Sequence, residues 1–256
     1  MSVYATVLFQ NTVDFMRSVV IQEPVASVIG LELDVLGKKV YVQGVHPSRL
    51  ILTLSVHPIV NVQLVSPCTH FRTNIVISDI IPFKKMMKDG KDILFVLSSG
   101  GLSVMHTHQA TPSIHLPSTT FSQQSYDAAV LYERIQSWNE CNIPLCSAEF
   151  HRMVRDLSIV GDGGEVSICF KHLSKELVFQ SSGEVGDVTF SLFPSVIQYS
   201  GCSDIVNVYS LTHINLAIKN IVNSVKNIHV VLSMNGPLGI FSEQSWICFF
   251  PVTAHR

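Results

Sequence analysis

The chain has 256 residues and a mass of 28.3 kDa, long enough for one large domain or two modest ones, each with its own core. Hydrophobic residues make up 47% and charged residues 14%, with a formal net charge of −2 and a pI near 6.6. That composition excludes a disordered chain and an overall polycation, so any nucleic-acid-binding surface has to be local. The opening "MSVYATVLFQ" carries no basic leader with a cleavable apolar run, and no stretch approaches the ~18–20 apolar residues of a bilayer span. A soluble, intracellular protein is expected, with no membrane association.

Along the chain, the first predicted helix sets Phe15 and Val19 on one side and Arg17 on the other. Alternating strands follow at "KVYVQG" and "RLILTLSV". A second helix opposes Ile80, Phe83 and Met87 to Lys84, Lys85 and Lys88, with Pro82 tolerable in its first turn. A strand pair turns near Gly100 and Gly101, and His106 and His108 alternate on its second strand, where no nearby carboxylate or thiolate completes a metal site. The segment from Ala110 to Pro144 is polar, contains proline and lacks clean periodicity, so it reads as a long connector.

The second half opens with the most regular helix, "EFHRMVRDLSIV". At about 100° per residue, Phe150, Met153, Val154 and Leu157 share one side, and His151, Arg152 and Arg155 share the other. "GDGG" at residues 161–164 has no Lys-Ser/Thr after it and reads as a turn rather than a phosphate loop. Strands are expected at "EVSICF", "ELVFQS" and "DVTFSLF". A fourth helix places Ile214, Ile218, Ile221 and Val225 opposite Lys219 and Asn223, and a last strand pair turns at Asn235 and Gly236.

Two pairs of segments reveal a duplication. "DFMRSV" from Asp14 and "EFHRMV" from Glu149 share acid-Phe-x-Arg-x-Val; "KDILFVLS" from Lys91 and "KNIHVVLS" from Lys226 share a second pattern. Both pairs stand 135 residues apart (14 to 149, 91 to 226). "KVYVQG" and "ELVFQS" match with a shift of two, which a loop insertion explains. Repeats this long are two copies of a domain. Boundaries at 1–115 and 143–256, with a connector at 116–142, follow from the pattern.

Six cysteines (Cys68, Cys141, Cys146, Cys169, Cys202 and Cys248) are scattered without a C-x-x-C pair, so reduced thiols are expected. No G-x-S-x-G, Walker loop or G-x-G-x-x-G occurs, and no cofactor, metal or enzymatic activity is expected. The four helices instead hold much of the small stock of 17 Lys and Arg, on faces opposite their apolar stripes. Four cationic faces in two equivalent copies suggest one basic surface, and a phosphate backbone suits it because Lys and Arg neutralise phosphate without reading sequence.

The elements "EFHRMVRDLSIVGD", "LVFQSSGEVGDVTFSL", "VVLSMNGPLGI" and "FFPV", with the looser "FQNTVDFMRSVV" and "GVHPSRLILTL", resemble the proliferating cell nuclear antigen (PCNA) family of DNA sliding clamps. The resemblance implies an α+β fold of two duplicated clamp domains, antiparallel sheets outside and short helices inside a closed homotrimeric ring. It implies a non-enzymatic polymerase processivity factor in the nucleus, or in a viral replication compartment. Duplex DNA, a DNA polymerase, other replication and repair proteins and a clamp loader would be its partners. On the resemblance, Arg152 and Arg155 match basic inner-face residues directly, and Arg17, Lys84, Lys85, Lys88 and Lys219 lie on the matching helices. Partners would grip Val130, Leu131, Ile135 and Trp138 of the connector together with Phe249, Phe250 and Pro251 near the end. The strand around Ser103 to Gln109 would pair with that around Asp187 to Leu192 of a neighbour. A subunit of a heteromeric checkpoint-type clamp, a clamp acting without a homotrimeric ring and an unrelated enzyme of two α+β lobes are the alternatives.

Overall fold

The computed structural model describes residues 3–9, 15, 19, 25–34, 36–48, 50–64, 70–76, 93–98, 101–106, 114–117, 128–162, 164–222, 225–242 and 245–252. The chain divides into two units, residues 1–45 with 54–130, and residues 46–53 with 131–256. No described helix is long and apolar enough to cross a membrane.

The first unit contains β1 (Val3–Phe9), β2 (Val28–Asp34), β3 (Lys39–Val45), β4 (Ile51–Leu64, from residue 54), β5 (His70–Val76), β6 (Ile93–Ser98), β7 (Gly101–His106) and β8 (Ile114–Pro117). Hydrogen-bonded neighbours run β5-β2-β3-β4 and β4-β1-β6-β7-β8. Ile29, Leu31 and Leu33 of β2 are buried, as are Val40 and Val42 of β3, and the cross-strand neighbours Glu32 and Tyr41 between them are buried too. Asp34 holds the turn between these strands by accepting the Gly37 N–H at 2.9 Å. Phe15 and Val19 are helical and almost wholly buried, as their spacing predicts. The Phe15 ring meets those of Phe95 and His57 edge-on, at 5.3 and 5.4 Å.

The second unit contains β9 (Cys141–Cys146), α2 (Ser147–Val160), β10 (Glu165–Lys171), β11 (Glu176–Gly183), β12 (Gly186–Leu192), β13 (Gln198–Tyr199), β14 (Ile205–Ser210), α3 (Leu211–Val222), β15 (Asn227–Leu232), β16 (Leu238–Ser242) and β17 (Ser245–Phe249). The helix α1 (Ala128–Ser137) precedes them. Neighbours run β12-β11-β10-β14 and β13-β9-β15-β16-β17. This is the wiring of the first unit. β10 pairs with β11 and β14 as β2 pairs with β3 and β5, and β9-β15-β16-β17 repeats β1-β6-β7-β8. Together β12 and β13 stand for the single β4.

The duplication reaches the backbone. Lys38 and Lys175, at equivalent turns 137 residues apart, both adopt left-handed conformations, φ 50° and 53°. The shift of two seen in sequence is therefore real, and the β3–β4 connection accounts for its return to 135. Residues 46–50 join β3 to β4, where only Glu184 and Val185 join β11 to β12.

In the second unit α2 and α3 pack side by side, α2 against β11 and β12 and α3 against β10, β14 and β17. Phe150, Met153, Val154 and Leu157 of α2 are buried, with Leu211, Ile214, Ala217 and Ile218 of α3. The Ser147 hydroxyl donates to the Val225 and Lys226 carbonyls, tying the start of α2 to the segment before β15. At its far end Gly161 donates its N–H to the Leu157 carbonyl. A Cβ at this glycine would lie 2.0 Å from Ser181 Oγ, which explains the first glycine of "GDGG" as close packing rather than phosphate binding.

Three expectations are corrected. Residues 128–137 of the expected connector form α1, because Leu131 and Ile135, one turn apart, are both buried. The expected interface strand around Ser103 to Gln109 is β7 at its described residues, and β7 already pairs on both sides, with β6 and β8. Among the described residues the edge of that run is β8, and a strand with both ladders filled has no free donors to offer. Val225 lies beyond α3, which ends at Val222. The predicted second helix lies outside the described residues, and so does His108.

Candidate DNA-facing helix and partner corner

Because the apolar stripe of α2 is buried, its opposite arc must face outward, and Arg152 and Arg155 are both exposed there. The face is not purely cationic. Arg155 Nη2 lies 3.4 Å from Asp156 Oδ1, with the two side chains 61% and 40% exposed. Exposed Glu149 lies in the first turn, where a carboxylate suits the helix N-terminus. Ile159, 67% exposed, sits on the helical wheel between Arg152 and Arg155. Sequence reading passed over Ile159 and Asp156 because it sorted the helix by its stripe and its arginines alone.

Of the other proposed DNA contacts, Lys219 falls on α3 but its side chain lies outside the described residues. Arg17, Lys84, Lys85 and Lys88 are outside them altogether.

The partner residues separate by burial. Leu131, Ile135 and Phe249 are at most 6% exposed, so their side chains pack inward and serve as anchors. Val130 is 47% exposed, and Trp138, Phe250 and Pro251 are half-buried. Trp138 follows α1, its N–H donating back to the Arg134 carbonyl, and its ring meets that of Phe250 at 6.0 Å. The segment after β17 is strapped down by its backbone. Phe250 N–H donates to the Leu50 carbonyl at 2.9 Å and Val252 N–H to the Val208 carbonyl at 2.8 Å. Between them Pro251 has no N–H to satisfy. The result is an aromatic corner whose backbone is fixed and whose rings are partly open.

Among the described residues no group of three or more His, Cys, Asp or Glu is placed to hold a metal ion. The cysteines described are free thiols, and burial pushes those of Cys141 and Cys248 up to about 12, which removes both as nucleophiles near neutrality.

No protein-family profile matches the sequence, and no curated protein sequence matches it. Solved structures do. The crystal structure of the proliferating cellular nuclear antigen of Entamoeba histolytica superposes with a TM-score of 0.71 over 98% of this chain and 99% of that one, at 15% identity. PCNA from Thermococcus kodakaraensis gives the same TM-score over 96% and 99%, at 10% identity.

The chain has the PCNA clamp fold.

The match spans both copies of the duplicated unit, and the antiparallel sheets with short helices found here are those of an α+β clamp. In this clamp fold the second unit carries the described cationic helix face, and the aromatic corner brings the end of α1 to the segment after β17.

Proposed function

We propose that this protein is a DNA sliding clamp, a non-enzymatic processivity factor that encircles duplex DNA and tethers a polymerase and other replication and repair proteins. The observation that carries the reading is the exposed Arg152–Arg155 face of α2, set opposite a wholly buried stripe in a fold shared with PCNA structures. Topology supplies retention, while each weak, salt-screened phosphate contact exchanges quickly and permits sliding. Arg17, Lys84, Lys85, Lys88 and Lys219 are proposed to extend the same surface.

Ring closure is proposed through strand edges. β12 pairs only with β11, and β8 only with β7, among the described residues. An edge with free backbone donors and acceptors invites another strand, and three copies joined β12 to β8 would close a homotrimer. The Trp138–Phe250 corner, with Val130 and Pro251, is the proposed seat for the aromatic or aliphatic anchors of a partner peptide. A clamp loader and a nuclear or viral replication setting accompany this reading.

Size-exclusion chromatography with light scattering, followed by retention on closed-circular against linear DNA, tests it. A trimer that stays on circles and runs off linear ends is the expected result. A chain that assembles only with different subunits would favour the heteromeric clamp, and equal loss from both DNAs would overturn encirclement.

A further inference from the structure

The connection from β3 to β4 is where the two copies differ in length, and it carries a polar cluster. His46 N–H donates to the Ile51 carbonyl at 3.0 Å, closing a turn. Within it, Ser48 N–H donates to His46 Nδ1 at 3.2 Å, and Ser48 Oγ lies 2.8 Å from the same nitrogen. A backbone N–H can only donate, so Nδ1 of His46 is an acceptor and carries no proton. On its other side Ser48 Oγ lies 3.5 Å from Nε2 of His213, in the first turn of α3. The two imidazole rings are 4.8 Å apart at 55°. The consistent proton arrangement is His213 Nε2–H to Ser48 Oγ, and Ser48 O–H to His46 Nδ1.

Two residues further on, Leu50 N–H reaches Ser48 Oγ at 3.4 Å, and the Leu50 carbonyl accepts the Phe250 N–H. The imidazole–hydroxyl cluster thus holds the turn that seats Phe250 against Trp138. Sequence reading treated "GVHPSRL" only as part of a resemblance, and the histidine at 213 was not singled out at all.

We propose that His46, Ser48 and His213 form a proton-sensitive latch that holds the aromatic corner in place when both rings are neutral and releases it on acidification. A proton added at His46 Nδ1 would leave the Ser48 N–H without its acceptor and oblige the Ser48 hydroxyl, 2.8 Å away, to turn from donor to acceptor, which breaks the proton arrangement of the cluster. Protonating His213 would put charge on an Nδ1 that is buried without a hydrogen-bond partner. The cation would also sit at the N-terminal end of α3, the wrong end of the helix dipole. Burial, and then the neighbouring His46, hold His213 below the ordinary histidine value. Among the described groups His46 is the titratable neighbour acting on it, and none on α2, β10, β14 or β17 adds to that influence. The side chains of Arg49 and Lys219 lie outside the described residues.

The consequence for a partner rests on the reading of the corner given above; the latch itself does not, so the test uses no partner. Hydrogen exchange of the full-length protein is followed by mass spectrometry in peptides covering residues 46–52 and 246–252, at pH 8 and pH 5.5, corrected for the intrinsic pH dependence of exchange. Protection of the Phe250 amide should fall at least tenfold at the lower pH. His46→Asn with His213→Gln places a non-titrating oxygen and amide N–H near the original ring nitrogens, and should keep protection equal at both pH values. Equal protection in the unmodified protein, or the same fall in the double variant, overturns the latch. A second measurement is independent of any variant. The imidazole Cε1 proton shifts of the unmodified protein should move over the same pH interval as the exchange, and a separation of the two intervals would also overturn it.

Discussion

Trp138 and Phe250 meet edge to face, their ring centroids 6.0 Å apart and their planes at 84°. The two rings come from opposite ends of the second unit's sequence; the Trp138 backbone bonds only within its own helix end and turn, to Arg134, Ile135 and Glu140, whereas the Phe250 N–H bonds to Leu50, far away in sequence. This difference separates their roles. Trp138→Ala removes a half-buried ring and an aromatic pair worth about 0.5–1.5 kcal/mol beyond area burial, so stability should fall modestly. Phe249→Ala, next door, deletes a wholly buried ring and should cost about 3–5 kcal/mol. We expect the tryptophan variant to lose pull-down of the cognate polymerase while keeping a near-normal melting temperature. Retained polymerase binding would place the partner surface elsewhere.

The salt dependence of DNA association tests the helix face. Arg152→Ala with Arg155→Ala removes two phosphate-neutralising charges, and the slope of log K against log salt should flatten by about 1.8. Folding should be unaffected, since both side chains are exposed. A slope equal to that of the parent protein would mean that α2 does not face DNA.

The first unit should lose global stability in acid through His57. This side chain is 3% exposed in β4, and burial lowers its value from 6.5 to about 4. The folded state therefore binds the proton less readily than the unfolded chain does. The contribution of this group is complete above about 6.5 and is lost as pH falls from there through about 4, amounting to about 3 kcal/mol. Denaturant melts at pH 7 and pH 4.5 should show this loss, and His57→Gln should shrink it. An unchanged pH dependence in that variant would assign the acid sensitivity to other groups.

Assembly should depend on the β12 ladder. Val188→Pro removes a backbone donor and adds a ring in the strand proposed to meet a neighbour's β8. Light scattering should then show loss of trimer at concentrations where helix content, read by circular dichroism, is still normal. An intact trimer would direct attention to another edge.

The duplicated fold was largely legible because the copies share residues that packing cannot exchange. Phe15 and Phe150 are both at most 2% exposed, and Val19 and Val154 are both buried. The α2 face was legible for the same reason, since a buried stripe fixes what lies opposite. Helix α1 was not read although Leu131 and Ile135 have helical spacing, because polar neighbours hid two anchors in a long polar stretch. The strap at Phe250 and Val252 could not be read at all. It consists of backbone hydrogen bonds to Leu50 and Val208, and a backbone bond leaves no mark in side-chain identity. The His46–Ser48–His213 cluster joins residues 165 positions apart, a proximity that only the folded chain supplies.

The first copy draws its fourth strand as one 14-residue stroke, β4, while the second interrupts the same path between β12 and β13. Residues 193–197 in that gap owe no ladder bonds, and Phe193 and Val196 are 69% and 56% exposed. The protein therefore has a place to accept foreign sequence. A short epitope grafted after Ser195 should be displayed without disturbing either sheet, since exposed connections tolerate added length. The same graft 135 residues earlier would fall inside β4, between Ile59 and Asn61 that both pair with β1, and should abolish soluble expression.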